Sequence, residues 1–316
     1  MRVMITGITG MIGYHLANLY LGKGYEVAGI SRNTSIGRLN NSKYNWRHYS
    51  GDILDINFLN KVWDDYKPEI VFHLAGQAYN GLSWEAEDST YHFNIIGSKN
   101  IFNVSMKKTP YSLLIPACSS AEYGIVPIEK IPIKEDITPL NPITPYGVSK
   151  ACMEMMGKQY CLNYNMNFIF PRLFINIGPN HPPITAIQSF AMQLALIKLG
   201  MKDNVVEVGN LSTSRDFIDV RDGVDALFVL GNSGKIGEIY NICSGKYWSI
   251  KESLDLLIEI SGLEINIKQN KELFRPSDEN FLLGNNDKIT KLGWYQKISF
   301  YQTLTDVFNN WMKRLK

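Results

Sequence analysis

Gly7-Ile8-Thr9-Gly10-Met11-Ile12-Gly13 stands between a β-branched run, 3–6, and an amphipathic stretch that begins at Met11. A strand that hands over to a helix through glycines at this spacing restricts a chain to few architectures. The first glycine turns the backbone, the second lets a diphosphate approach it, and the third lets helix meet sheet. The helix N-terminus then presents free N–H groups to an anion. Gly7, Thr9, Gly10, Met11, Ile12 and Gly13 are therefore expected to hold the diphosphate of a dinucleotide. Further runs rich in β-branched and apolar residues occur at 26–31, 46–49, 70–74, 112–117 and 167–173, with helical patterns near 11–23, 56–66, 86–107 and 145–164. That alternation calls for an α/β fold, a doubly wound parallel sheet of Rossmann type covered by helices on both faces.

Beyond Leu173 the pattern changes. A loop rich in Pro and Asn, Gly178-Pro179-Asn180-His181-Pro182-Pro183, precedes a helical stretch near 185–199, and glycines break up the remainder of the chain. The expected division is a dinucleotide-binding domain over 1–174, with returning segments at about 216–244, and a smaller C-terminal substrate-binding cap from 175–215 and 245–316. Residues 217–230 and 239–242 are the stretches expected to return to the sheet.

Thirty-two Lys plus Arg against thirty Asp plus Glu leave a formal charge of +2, too balanced for affinity built on nucleic-acid phosphates. Nucleic acid is not an expected partner. Met1-Arg2 runs straight into the first strand pattern, and no apolar stretch reaches spanning length, so a cytoplasmic protein without a membrane partner is expected. Cys118, Cys152, Cys161 and Cys243 stand far apart without a Cys-x-x-Cys pair, as in a reduced chain with small buried thiols. No metal is expected.

At the end of the second strand, where a carboxylate would bind the ribose 2′-hydroxyl of NAD, the chain reads Ser31-Arg32. A hydroxyl followed by a guanidinium suits a 2′-phosphate, so NADP(H) is the expected cofactor, with NAD(H) the alternative. Asp52 and Ile53 are placed to meet the adenine, and Leu74, Ala75 and Gly76 to let the backbone approach the cofactor. Tyr146 and Lys150 stand four apart on a helix that Pro145 starts and Thr144 caps. Tyr247 and Lys251 repeat the spacing without a cofactor strand beside them and read as structural. What favours the first pair is Ser119, at the C-terminal end of the fifth strand, the edge where such sheets present ligands. A free phenol ionises near pH 10, so the Lys150 ammonium is expected to favour the Tyr146 phenolate and to assist proton exchange. With Ser119 binding the reacting oxygen and Tyr146 as acid or base, the trio implies alcohol–carbonyl redox chemistry.

At these residues the chain resembles the extended, nucleotide-sugar branch of the short-chain dehydrogenase/reductase superfamily. The resemblance rests on the glycine loop, Ser119-Ser-Ala-Glu-Tyr-Gly124, Tyr146 to Lys150, Arg172-Leu-Phe-Ile-Asn-Ile-Gly-Pro179, Gly209 to Asp222, Tyr240-Asn-Ile-Cys-Ser-Gly245 and Arg275-Pro-Ser277. It implies a nucleotide-linked sugar as substrate, GDP-linked by its nearest likeness, and carries diphosphate contacts onto Arg215 and Arg275 and further substrate contacts onto Ser120, Glu122 and Asn176. The branch contains 4-keto reductases, 4-epimerases, C4 dehydrogenases and 4,6-dehydratases. Dehydratases of the branch place an acidic residue two positions before the Tyr of the Tyr-Gly pair, and Ala121 stands there. With the Ser-Arg cofactor signature, this favours reduction of a 4-keto-6-deoxy sugar. Epimerase or C4 dehydrogenase, 4,6-dehydratase and a non-catalytic NADP(H)-sensing protein are the alternatives. Asn after Phe of the Arg-x-Phe motif is usual in relatives, whereas Ile175 separates Phe174 from Asn176 here. The resemblance also implies a homodimer through the 86–107 and 145–164 helices and a tie from Asn94 to the active-site strand. His73 reads as a core histidine, and His181 as solvated or substrate-facing.

Overall fold

The computed structural model describes residues 1–32, 46–274 and 280–316. β1 (Arg2–Thr6) passes through the glycine loop into α1 (Met11–Gly22), followed by β2 (Glu26–Ser31), β3 (Arg47–Ser50), α2 (Ile56–Tyr66) and β4 (Ile70–His73). α2 begins where the Asp55 carboxylate accepts the N–H groups of Asn57 and Phe58, a side-chain cap for the open first turn. α3 (Glu87–Tyr91), a π-helical stretch (His92–Gly97) and α4 (Ser98–Lys108) run on as one element. β5 (Leu113–Pro116) and β6 (Cys118–Ser119) are one run interrupted at Ala117. α5 (Pro145–Tyr164) has proline in its first turn, and Thr144 caps it by accepting the Gly147 N–H at 3.0 Å. β7 (Asn167–Phe168) and β8 (Phe170–Leu173) are again one run.

The remainder comprises β9 (Ile175–Ile177), α6 (Ala186–Lys198), β10 (Val205–Val208), β11 (Ser214–Asp219), α7 (Val220–Ser233) and β12 (Ile239–Ile242). β13 (Tyr247–Ser249), α8 (Ile250–Ser261), β14 (Asn266–Gln269), α9 (Asp287–Thr290) and α10 (Phe300–Arg314) complete it.

The main sheet has the order β3-β2-β1-β4-β5-β7, and every pairing in it is parallel. β6 and β8 prolong its last two runs, pair with each other, and add β12 at the edge, also parallel. Successive residues of β1 point to opposite faces. Val3 and Ile5 meet Leu16 and Tyr20 of α1 and Leu227 and Leu230 of α7, whereas Met4 meets Leu59 and Trp63 of α2 and Phe102 of α4. This is the doubly wound α/β sheet that the alternation calls for. Burying each of these large side chains contributes about 1.5–3 kcal/mol.

Residues 217–230 do not return to this sheet as strand. β11 pairs in parallel with β9 and antiparallel with β13, and the chain then becomes α7, because Val224, Leu227 and Leu230 recur at helical spacing and cover the α1 face. A separate core joins Phe190 and Leu194 of α6, Leu254 and Leu257 of α8, and Leu304, Phe308 and Trp311 of α10. Ile289 and Trp294, numbered within the expected cap, are instead part of the sheet's own core, where Trp294 Nε1 donates to Asp222 O at 3.0 Å. Among the described residues no helix is long and apolar enough to cross a membrane.

Candidate active site

The glycine loop closes tightly on the strand beside it. Gly7 has φ +72°, and a Cβ there would lie 2.9 Å from the backbone of Ala75, so both the left-handed turn and the close approach require glycine. A Cβ on Gly13 would lie 2.4 Å from Gly7 O. Gly10 at the N-cap of α1 supplies no side-chain cap, which leaves first-turn N–H groups to an anion. The Thr6 hydroxyl accepts the Ala75 N–H at 3.1 Å and fixes the neighbouring edge, while Gly76 abuts Asn94. This cradle has the form and donor set a dinucleotide diphosphate needs.

Ser31 ends β2 buried, its hydroxyl 2.8 Å from His48 Nε2, and the exposed Arg32 stacks its guanidinium 4.7 Å from the Phe93 ring centroid. Ser31 and Arg32 are thus placed together at the strand edge. Asp52 accepts the Leu54 N–H at 2.9 Å, and Ile53 is buried with its carbonyl held by Asn100 at 3.1 Å.

Ser119, Tyr146 and Lys150 converge at the C-terminal ends of β5 and β6. The Ser119 hydroxyl stands near enough to the Tyr146 phenol to act on its ionisation and accepts the Ala121 N–H at 3.1 Å. Lys150 Nζ donates to Ala117 O at 2.8 Å and stands 5.8 Å from the Tyr146 ring centroid. Burial pushes the Tyr146 phenol up to about 12, although the Ser119 hydroxyl beside it pulls the other way, and burial also lowers the Lys150 ammonium below its usual range. Tyr146 therefore carries its proton at neutral pH. Tyr247 and Lys251, by contrast, are divided between β13 and α8, and Lys251 pairs with Asp255.

Asn94 lies within the π-helical stretch, a bulge that often re-aims side chains at functional sites. Its amide donates to Ser149 Oγ at 2.9 Å and to Gln77 O at 3.0 Å, and accepts the Gln77 N–H at 2.8 Å. It so ties α5 to the loop after β4. His73 is buried between Thr6 Oγ1 and Ser98 Oγ, at 2.8 and 2.9 Å. Burial, with Lys150 nearby, lowers it to about 3, so it is a neutral core histidine.

The residues assigned to substrate divide. Arg215 lies half-buried on β11, one Nη1 donating to Ser214 O at 3.0 Å, and Ser120 is buried beside Ser119. Arg275 lies outside the described residues. Glu122 does not face a cleft. It is fully buried because Ser120–Glu122 form a 3₁₀ turn that folds its carboxylate back onto the Ser119 N–H at 2.7 Å. Asn176 bonds Phe174 O at 3.0 Å, and its side chain abuts Gly223 of α7. The register of β9 turns Asn176 toward α7, so it does not stand in for the asparagine that Ile175 replaces. His181 makes an edge contact with Tyr79, ring centroids 5.7 Å apart, where the proline loop meets the loop after β4. Sequence reasoning missed His48, Gln77 and the Glu154–Arg172 pair. The only signal for that pair was Glu154 falling four residues after Lys150 on one helix face.

The sequence profile of the family described as GDP-mannose 4,6 dehydratase matches residues 4–307. The chain is 29% identical to the GDP-6-deoxy-D-mannose reductase of Pseudomonas aeruginosa, over 100% of this chain and 98% of that one. It is 28% identical to GDP-mannose 4,6 dehydratase 1 of Arabidopsis thaliana, over 94% of this chain and 86% of that one. Among solved structures, RMD from Pseudomonas aeruginosa complexed with NADPH superposes with a TM-score of 0.86 at 28% identity, covering 99% of both chains. With the glycine cradle and the Ser-Tyr-Lys trio in place, the chain belongs to the GDP-mannose 4,6 dehydratase family, within the extended nucleotide-sugar short-chain dehydrogenases/reductases.

Proposed function

We propose that this protein is an NADPH-dependent reductase of the 4-keto group of a nucleotide-linked 4-keto-6-deoxy sugar, GDP-linked as in the reductase it resembles over its full length. The observation that carries the reading is the direction of Glu122. A 4,6-dehydratase needs an acid and a base for water elimination in addition to the redox trio. Ala121 stands at the position where that acid is found, and the neighbouring carboxylate is turned inward onto the Ser119 N–H. What remains at the site is what ketone reduction uses.

NADPH, when bound, supplies the hydride. The uncapped start of α1 would bind its diphosphate and Ser31 with Arg32 its 2′-phosphate, while Lys150 would lie along the nicotinamide ribose. Ser119 donates a hydrogen bond to the sugar's C4 oxygen and holds it against the Tyr146 phenol. Tyr146, kept protonated by burial, delivers its proton to that oxygen as the carbon is reduced, and Lys150 favours the phenolate that results. Arg215 would contact the sugar's diphosphate, a role the resemblance also gives Arg275, with Ser120 beside the sugar; guanidiniums suit a diphosphate.

The same reading gives the sheet half to the dinucleotide and the α6, α8 and α10 half to the nucleotide sugar. It places the enzyme in the cytoplasm, consistent with four free cysteines. It also makes it a homodimer, supported by Met155 and Leu162 on α5, 63% and 82% exposed, and by Ile96, 40% exposed. Sedimentation should give a dimer at micromolar concentration; a monomer alone would remove that part.

The test is to mix the protein with NADPH and GDP-4-keto-6-deoxy-D-mannose while following the nicotinamide absorbance, and separately with GDP-D-mannose and NADP⁺. Loss of NADPH equal to the alcohol formed supports the reading. A 4-keto product from GDP-D-mannose without net cofactor change would make it a dehydratase.

A further inference from the structure

Beneath the catalytic trio lies a sealed group of charges that the reduction itself does not use. Glu122 and Glu154 are 0% exposed and Arg172 is 2% exposed. Arg172, on β8, donates from Nε and Nη2 to both oxygens of Glu154 on α5, at 2.8 and 2.6 Å, and Lys158 reaches the same carboxylate at 2.7 Å. The second oxygen of Glu122 stands 3.7 Å from Arg172 Nε. The Tyr123 ring lies against the guanidinium, 4.7 Å from its centre, and its hydroxyl is fixed by Asn241 at 2.8 Å. Cys118, Glu122 and Glu154 bring ligand-type atoms within 4.8 Å of one another, and among them Glu154 is paired with the Arg172 guanidinium.

We propose that Glu122, packed beside Arg172 and Glu154, is a positioning residue that sets the Ser119 hydroxyl against the Tyr146 phenol for the reaction. The argument rests on connectivity. Glu122 Oε1 accepts the Ser119 N–H at 2.7 Å, and the turn it closes delivers the Ala121 N–H to Ser119 Oγ at 3.1 Å. One acceptor site of that hydroxyl is thereby occupied by backbone, which limits the directions left for Tyr146 and substrate. Arg172 bonds Glu154, one helical turn beyond Lys150, and stands 3.7 Å from Glu122, so a single side chain on β8 packs against both halves of the trio. Arg172 is matched bidentately by Glu154, the charge-assisted geometry that favours the ionised form, and burial beside Glu154 pushes the Glu122 carboxyl well above its usual range. Toward Ser119, Glu122 supplies one acceptor oxygen, which the amide oxygen of glutamine reproduces.

The inference takes the reductase reading as its basis. The experiment compares wild type, Glu122→Ala and Glu122→Gln, each corrected for folded fraction by thermal unfolding, using NADPH and hydride-deuterated NADPH. Displacing a catalytic hydroxyl by about 1 Å costs on the order of a hundredfold. Glu122→Ala should therefore lose about ten- to a hundredfold in kcat, keep its NADPH Kd within about twofold, and show a larger deuterium isotope effect as chemistry becomes rate-limiting. Glu122→Gln should restore kcat to within about threefold of wild type. A merely structural role lowers the active fraction and leaves the isotope effect unchanged, which overturns the proposal, as does a Gln variant that fails like Ala. If wild type itself consumes no NADPH, the reductase reading fails and crystals decide the positioning claim: in Glu122→Ala, Ser119 Oγ should leave the Ala121 N–H, and an unmoved hydroxyl overturns it.

Discussion

Replacing Gly13 by alanine tests whether the glycine loop is built for a diphosphate. The added Cβ would stand 2.4 Å from Gly7 O and 2.8 Å from Ile8 Cα, well inside the roughly 3.5–4 Å at which such atoms are comfortable. Both obstacles are backbone, so no side chain can swing aside, and the loop must move off α1. Forced overpacking of this kind costs about 1–3 kcal/mol. If the bound form bears that cost because the loop can no longer follow the diphosphate, NADPH affinity falls by about 5- to 150-fold, at 1.4 kcal/mol per factor of ten. Gly24→Ala is the control. Its Cβ meets nothing within 4 Å, and its φ of +81° makes the change one of local strain far from the cradle, worth about 1–2 kcal/mol of stability. Titration of NADPH by its fluorescence would measure both. A Gly13→Ala protein that stays folded and binds NADPH within twofold of wild type would refute the reasoning that puts the diphosphate there.

The same geometry sets other outcomes. Arg32→Ala should weaken NADPH by about 10- to 150-fold, the worth of a charge-assisted bond of about 1.5–3 kcal/mol, and leave NADH nearly unchanged; equal losses for both would move the 2′-phosphate elsewhere. Asp216, fully buried, accepts N–H bonds from Ser244, Gly245 and Gly284 and the Ser244 hydroxyl. In Asp216→Asn the new NH₂ faces the Gly245 and Gly284 donors, so denaturant unfolding should show a loss of about 2–6 kcal/mol, at about 1–3 per orphaned group. Burial raises Asp216 from 3.8 to about 6. Its raised pKa contributes stability below pH 3.8 that is lost as pH rises through 6, and the Asn variant should flatten that part of the stability profile. Because burial holds the Tyr146 phenol up to about 12, ketone reduction at saturating substrate should show no loss of the proton donor between pH 7 and 9; a fall across that window would assign the acid to another group.

What was legible in the sequence is what local chemistry dictates. Gly7, Gly10 and Gly13 declare a turn whatever surrounds them, and the Thr144-Pro145 start of α5 needs only its own residues. The sheet follows from alternation, since buried parallel strands must be β-branched or apolar on both faces. Long-range partners were not legible. The Ser-x-x-Glu spacing at 119–122 is a local capping-box signal that Glu122 folds back onto the Ser119 N–H, but nothing local says that Arg172, fifty residues on in the chain, packs beside it. Residues 217–230 are expected to return to the sheet, and the point where β11 gives way to α7 is not legible because the two share an apolar text; the change of period falls at Asp219, which caps α7 through the Arg221 N–H. His48 was hidden because its role depends on β3 lying beside β2 in register. Asn176 shows the converse: its type suited a substrate contact, and a register shift of one residue turned it toward α7.

Tyr146→Phe bears most directly on the central claim, since the phenylalanine differs from the native side chain by the one group that carries the proton. Turnover of the 4-keto sugar and NADPH affinity should be measured on the same preparation. The account expects NADPH binding within twofold of wild type and a turnover loss of about 10²–10⁴, the usual weight of a positioned acid. Turnover that survives the substitution would show that this phenol is not the proton donor.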